Sequence, residues 1–420
     1  MEDSLMALDR TGFLSALKRK YEPRVAKLLN EEFPATQMLM GGTDLGLEFW
    51  SLPVLVSGGQ RIANDMPTAV AQTAAGVYRN FLLPTQFDFY GIADISNKIL
   101  EGGSADKIAD TYMIENDGVV TGIYDAIENA IFRDGSGTIG VVSAEPAENA
   151  GTFDVILSHR SDSTNFEPGA TVEIYSAAFG GSQRDSDGSD NEWVVAAVDH
   201  NTGTITLTGT YDSSGDIAAD DVIQRQGAHQ SAVANAVNFP GLEGWIPDTP
   251  GTFFNVDTTE APTKLAGHRI SAGSKTVEEG IIDALAEVDL HKRRPDTVFL
   301  NPLRAAILSK EIGSRAINDP TNGKPGYASY KGFMFATGWG MVKVVSAPKC
   351  PFYKGFVITN KRTCIELKSI GKLCKHPGLA DLNKMGIQLE GTDDNRTIWV
   401  SRCALGMKEP FAHAKITWTT

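Results

Sequence analysis

The sequence predicts an α+β fold interrupted by an inserted small all-β domain, a barrel or a sandwich. Three observations predict it. Charge is segregated: of a formal −14 over 420 residues, residues 138–237 carry −12, from fifteen acids against Arg160, Arg184 and Arg225. No lysine occurs from Ile108 to Thr263, and a composition break this sharp marks an inserted unit. The hydrophobic period changes with the charge, from helical stripes outside the segment to strand alternation within it. Helices and strands then alternate over residues 240–380. The length exceeds one ordinary domain. The 42% hydrophobic and 21% charged content excludes collagen, coiled coil and wholesale disorder. A pI near 5.0 gives a surface that repels phosphate, which argues against a sequence-specific reader of nucleic acid.

Residues 1–40 read as an extended or partly helical arm, with Val25, Leu28, Leu29 and Phe33 as a short apolar stripe between Pro23 and Pro34. Residues 41–98 read as a long two-stranded excursion. Leu45 to Val56 runs out, broken at Pro53, and the aromatic-rich stretch Val77 to Ile92 returns. The tip between them, from Ser57 to Gly76, is small and polar. A two-stranded ribbon cannot bury its own faces, so something outside the subunit is expected to cover it. Burial of 41–98 on its own body would defeat that expectation and the whole functional reading that rests on it.

Residues 104–133 read as one long helix with Ile108, Tyr112, Val119, Ile123, Ile127 and Ile131 near one face. Gly118 and Gly122 predict a bend, and Asp134-Gly-Ser-Gly137 stops the helix. Within the insertion, the strands predicted are Thr152–His159, Thr171–Tyr175, Glu192–Asp199 and Thr204–Thr208. Turns at Glu167-Pro-Gly169 and Asn201-Thr-Gly203 set them apart, and no helical stretch is expected before about residue 228. Beyond it, Thr276 and Glu279 form a capping-box pattern. Val277, Ile281, Ile282, Leu285 and Val288 follow on one helical face. Thr297–Leu300 reads as a buried strand. Asn301-Pro302 supplies an N-cap and first-turn proline for a helix ending near Gly313. Further strands are predicted at Met341–Ser346, Lys354–Thr359, Thr397–Arg402 and Ala412–Trp418.

Chemistry is sparse. The N-terminus has acids where a secretory signal is basic, and no apolar run reaches membrane-spanning length. Cys350, Cys364, Cys374 and Cys403 include no CxxC pair and fit a reducing compartment. His159, His200, His229, His268, His291, His376 and His413 lie far apart in sequence, with no HxH or HExxH, and read as structural or surface groups. Asp185, Asp187, Asp190 and Glu192 resemble a calcium loop but lack the spacing for its bidentate Glu. A solvated hairpin tip is the stronger reading of these metal candidates. Gly273-Ser-Lys-Thr276 lacks the adjacent Gly-Lys of a phosphate loop and reads as a helix start. Ser136, between two glycines, follows a helix rather than a strand, so the nucleophile-elbow context fails. No catalytic residue and no cofactor are predicted.

Four stretches carry a family resemblance: Tyr90-Gly-Ile-Ala-Asp-Ile95, Ile131-Phe-Arg-Asp-Gly-Ser-Gly137, Phe239-Pro-Gly-Leu-Glu-Gly-Trp-Ile-Pro247, and Leu265-Ala-Gly-His-Arg269 through Asp296-Thr-Val-Phe-Leu-Asn-Pro302. With the order arm, β excursion, long helix, α/β unit and closing strands, the chain resembles the major capsid protein of tailed bacteriophages, built on the Hong Kong-97-type capsid fold. The resemblance implies an N-terminal arm (1–40), an extended loop across a neighbouring subunit (41–98) and a peripheral domain with a spine helix (99–137). The insertion (138–237), an axial domain (238–380) and a return to the peripheral domain (381–420) complete it. It further implies self-assembly into pentamers and hexamers of an icosahedral head enclosing double-stranded DNA, contacted non-specifically. The setting is the virion, assembled in the host cytoplasm, with portal and decoration proteins as partners and no membrane. Inter-subunit contacts are expected at Arg24, Leu28, Phe33, Gly58, Gly59, Arg61, Asp65, Tyr78 and Phe81. Some members link subunits through a loop lysine; Gly41 to Asn97 contains none, so that chemistry is not expected. Only about forty residues precede the loop, so a separate scaffold protein is expected. Two alternatives remain: an encapsulin-like compartment of the same fold holding protein cargo, and a soluble hydrolase using the 240–380 unit, which would need convergent titratable groups.

Overall fold

The computed structural model describes residues 33–42, 45, 49–58, 62–72, 76–84, 87–96, 105–147, 151–184, 192–209, 211, 217–232, 238–313, 334–337, 340–361, 363–370, 387–388 and 394–419. Most of the arm expected at 1–40 therefore lies outside the described residues. Its end is helix α1 (Pro34–Leu39), followed by β1 (Met40–Gly42). The Glu128 carboxylate accepts hydrogen bonds from the amides of Ala35 (3.0 Å) and Thr36 (2.8 Å) and from the Thr36 hydroxyl. A buried acid thus satisfies the open amides at the start of α1 and ties it to the long helix.

The excursion forms a hairpin of β2 (Phe49–Gly58) and β3 (Gly76–Pro84), with a short helix α2 (Met66–Ala71) in its tip. β4 (Asp88–Ser96) leaves the hairpin and enters the peripheral sheet. Helix α3 (Ala105–Phe132) is the predicted long helix and its helical residues run on through Gly118 and Gly122. Both glycines face open space, so no packed neighbour forces a kink there.

The insertion is a closed antiparallel barrel. β5 (Thr138–Val141), β6 (Thr152–Ile156), β7 (Thr171–Tyr175), β8 (Trp193–Asp199), β9 (Thr204–Thr208) and β10 (Val222–Arg225) run in the order β5-β10-β7-β8-β9-β6. The Val142–Leu157 bridge, with Ser143 and Ser158 amides donating to Ile156 and Val141 carbonyls at 2.8 Å, joins the last strand to the first. Closure removes the sheet edges. Phe153, Trp193, Tyr211, Ile174 and Leu207 fill the interior. A 3₁₀ turn at Arg160–Asn165 lies inside the segment expected to have no helical stretch before about 228.

After the barrel come α4 (Leu242–Trp245), the small hairpin β11 (Thr252–Phe253) and β12 (Val256–Asp257), and α5 (Pro262–Ala266). The axial unit contains β13 (His268–Gly273), α6 (Val277–Leu290), β14 (Thr297–Leu300), α7 (Pro302–Gly313), β15 (Met334–Thr337), β16 (Gly340–Ser346) and β17 (Lys354–Ile358). The capping box at Thr276 and Glu279 is fully formed. The Asn301 side chain accepts from the Leu303 amide, as an N-cap does.

The two ends of the axial unit differ from expectation. β18 (Ile365–Ser369) pairs with β1 and β20 (Asp394–Met407), which also holds β19 (Ile387–Gln388) and β4, so 365–369 belongs to the peripheral sheet. β21 (Ala414–Trp418) instead returns to the axial sheet, in the order β13-β21-β17-β14-β16-β15. The reason is packing. Ala414, Ile416 and Trp418 face the core under α6 and α7, and β21 fills the gap between β13 and β17. The opposite face of this sheet, through Phe299 and Phe356, packs on Phe132 at the end of the long helix (ring centroids 5.5 and 5.9 Å). Peripheral and axial units therefore share one core.

Candidate assembly surface

The β2–β3 hairpin has two unlike faces because side chains alternate along each strand. Trp50, Leu52, Val54, Phe81 and Leu83 point inward and are buried in the chain's own core. Phe81 meets Trp245 (5.3 Å) and Phe253 (6.0 Å) edge to face, arrangements that add to the area they bury. Trp50 lies so close over Gly406 that a Cβ there would sit 2.3 Å from the ring. Arg79 makes a two-pronged pair with Glu260 (2.7 and 2.8 Å), and the Lys264 ammonium donates to the Val56 carbonyl. The expectation that the ribbon has no cover from its own body is therefore corrected for one face, because α4, α5 and β20 lie beneath it.

The other face has no such cover among the described residues. Phe49 (63% exposed), Leu55, Tyr78 (65%) and Leu82 (41%) project outward from it. The register places Leu55 opposite Tyr78 and Ser51 opposite Leu82, so they form one strip. The tip extends the strip: Ile62, Met66 and Val70 are exposed, and α2 buries none of its residues. Tyr90 and Ile92 of β4 are exposed as well. Among the described residues, ten of the fifteen large exposed hydrophobics fall within 49–92. Such clustering marks an interaction surface, whereas isolated exposed apolar residues are ordinary.

The expected contact residues divide accordingly. Arg24, Leu28, Gly59 and Arg61 lie outside the described residues. Gly58 and Tyr78 are exposed on the ribbon. Asp65 is exposed and caps α2, accepting from the Thr68 amide at 3.0 Å. Hydrogen bonds from Thr68 hold its carboxyl below the ordinary carboxylate range, so the cap is ionised at neutral pH. Phe33 and Phe81 require correction. Phe33, at the start of α1, is buried against Tyr124 (5.5 Å), and Phe81 is fully buried; sequence alone could not assign either side chain to own core or neighbour. Sequence reasoning missed Phe49, Leu55, Leu82 and Met66. For Phe49, Leu55 and Leu82 the signal was present as the odd and even phases of the two strands, but its reading needs the register; Met66 lies in α2 at the tip.

A second surface joins the barrel to the body. Arg133, at the end of α3, pairs with Asp162 (3.2 Å), both largely buried. Lys349 donates to the Thr164 carbonyl (2.8 Å) and pairs with Asp125. His159 stacks on Phe352 (3.8 Å), whose ring also carries the Arg304 guanidinium (4.3 Å). Burial, then Arg160 and Arg304, push His159 down to about 4, so the stack holds a neutral imidazole. Gly137 (φ +80°) makes the turn into the barrel, where a Cβ would meet Ala228 at 2.6 Å. A cleft of about 910 Å³ lies between β4, α3 and the barrel. The charged pairs in its wall fasten the barrel to the body.

The metal candidates Asp185, Asp187 and Asp190 lie outside the described residues; Glu192 is exposed beside β8. Gly273-Ser-Lys-Thr276 is the capped start of α6. No described helix is long and apolar enough to cross a membrane.

No protein-family model matches the chain, and no curated protein matches it in sequence. Solved structures do. A chain of the cyanophage A-1(L) capsid asymmetric unit matches with a TM-score of 0.51 at 9% identity, covering 92% of each chain. A Mycobacterium phage Bobi chain matches at 0.42 with 10% identity, covering 92% of this chain and 90% of that one. An encapsulin complex from Synechococcus elongatus PCC 7942 matches at 0.39 with 9% identity, covering 95% and 88%. The first likeness shows the fold: the chain has the Hong Kong-97-type capsid fold of tailed phages, with a barrel inserted after its spine helix.

Proposed function

We propose that the chain is the major capsid protein of a tailed bacteriophage, a structural and non-enzymatic shell subunit. It assembles into pentamers and hexamers around double-stranded DNA, with a separate scaffold protein, a portal and decoration proteins as partners. One observation carries the reading: in a chain with a capsid fold, the described residues leave one apolar face of the ribbon uncovered while the other is locked to its own body. A ribbon anchored on one side and open on the other is shaped to lie across a second copy. Around closed symmetry axes each copy gives one such contact and receives one, so modest contacts accumulate. Outside the insertion the chain carries a net charge near zero, which permits close packing of like subunits. The acidic barrel belongs on a face that tolerates repulsion, outward and between capsomers.

The test is negative-stain microscopy and sedimentation of the purified chain, followed by analysis of particles from infected cells. Rings or shells are expected, and the particles contain nuclease-protected double-stranded DNA. A monomer that persists at every concentration and salt would overturn the reading. Shells holding a protein cargo and no DNA would identify the encapsulin-like alternative.

A further inference from the structure

We propose that His268, Glu287 and His291 bind a divalent transition-metal ion, Zn²⁺ by the type of donor. His268 opens β13, and Glu287 and His291 stand one turn apart at the C-terminal end of α6. That spacing puts both side chains on one helical face. One ligand atom from each of the three residues lies within 4.8 Å of the others, and the two imidazole rings are 4.8 Å apart.

The tautomer of His268 favours this arrangement. Its Nε2 lies 3.1 Å from the Phe411 carbonyl, which can only accept, so Nε2 carries the proton. The lone pair of Nδ1 then faces the cluster, with Glu287 Oε1 3.9 Å away. An imidazole whose other nitrogen donates to a backbone carbonyl is the usual supporting arrangement of a metal-ligating histidine. Two acceptors, a ring lone pair and a carboxylate oxygen, thus face each other with no proton between them, and a cation satisfies both. Nearby Arg293 is engaged with Glu409 and the Phe411 ring and does not fill this role.

Zinc–nitrogen and zinc–oxygen bonds of about 2.0–2.2 Å require ligand atoms somewhat closer than these. Glu287 is 48% exposed and His291 sits at the helix end, so both can swing inward while His268 stays fixed. Two imidazoles and a carboxylate leave a fourth position for water. The ion would staple the end of α6 to the first strand of the axial sheet, beside the connection that carries the chain from β20 to β21.

The test uses the full chain, stripped with chelator and titrated with Zn²⁺ by calorimetry, beside His291→Ala and Glu287→Gln. Neither substitution removes a fully buried side chain, so both variants should match the metal-free parent in circular dichroism and Tm. The parent should bind one more Zn²⁺ than His291→Ala, and Glu287→Gln should bind that ion at least tenfold more weakly. Zn²⁺ should raise the Tm of the parent and leave that of His291→Ala unchanged. Co²⁺ should give the parent a visible absorption band that His291→Ala lacks. Equal stoichiometry and affinity in all three proteins, or no saturable binding by the parent in large metal excess, would overturn the proposal.

Discussion

Replacing Tyr78 and Leu82 together with serine tests the open face of the ribbon. Fully burying a large apolar side chain stabilises by about 1.5–3 kcal/mol. Tyr78 is 65% exposed and Leu82 41% exposed in the isolated chain, so covering what remains of both contributes about 2–3 kcal/mol per contact. Losing it weakens each subunit–subunit contact by about 30- to 150-fold, and the loss recurs at every ribbon of a ring. Folding of the single chain should lose about 1–3 kcal/mol, from the parts of these side chains that its own body already covers. Phe81→Ala is the opposite control. It removes a fully buried ring from the Trp245–Phe253 cluster and should cost about 3–5 kcal/mol of folding stability. The assay is urea denaturation of dissociated chains together with light scattering during assembly. The double variant should lower the urea midpoint less than Phe81→Ala does, and shift its assembly threshold to much higher concentration. Parental assembly by the double variant, or a midpoint as low as that of Phe81→Ala, would refute the assignment of this face to a neighbour.

Two further perturbations probe the body. His413 is fully buried and its pKa is pushed down to about 3, chiefly by burial. A histidine depressed in the fold contributes stability that is full above its unfolded pKa near 6.5 and is lost as pH falls toward the folded value. Stability should therefore decline below about pH 6.5 with a slope approaching 1.4 kcal/mol per unit from this group, and pH-dependent Tm measurements should show a shallower decline in His413→Asn. Arg133→Met strands Asp162 without its partner at the barrel joint, where breaking a buried pair costs about 3–5 kcal/mol. Limited proteolysis should cut near residues 134–138 faster than in the parent while the barrel itself resists digestion, and unchanged cleavage would remove Arg133 from that role.

Local elements were legible where the residues carry their own instructions. The capping box at Thr276 and Glu279, the Asn301-Pro302 helix start and the alternation in Thr171–Tyr175 and Thr204–Thr208 depend on neighbours a few positions away, and the structure places these elements at those residues. The charge break located a real barrel, because a unit with its own closed sheet carries its own surface. The ends of the axial unit were not legible. Ala414–Trp418 and Ile365–Ser369 are both ordinary alternating strands, and the sheet each joins is set by partners far away in sequence, such as His268 for Ala414 and Met407 for Ile365.

The functional surface divides along the same line. Composition and order of parts alone were enough to mark a ribbon too thin to bury both faces. Only the tertiary structure decided which face is spent at home, since β-strand periodicity states that two faces differ without saying which one meets Trp245 and Gly406. Likewise, His268 and His291 are 23 positions apart and read singly as structural. The pairing of β13 with β21 and the packing of α6 against β13 bring them within one ion's reach, because long-range contacts, and not local spacing, set where side chains converge.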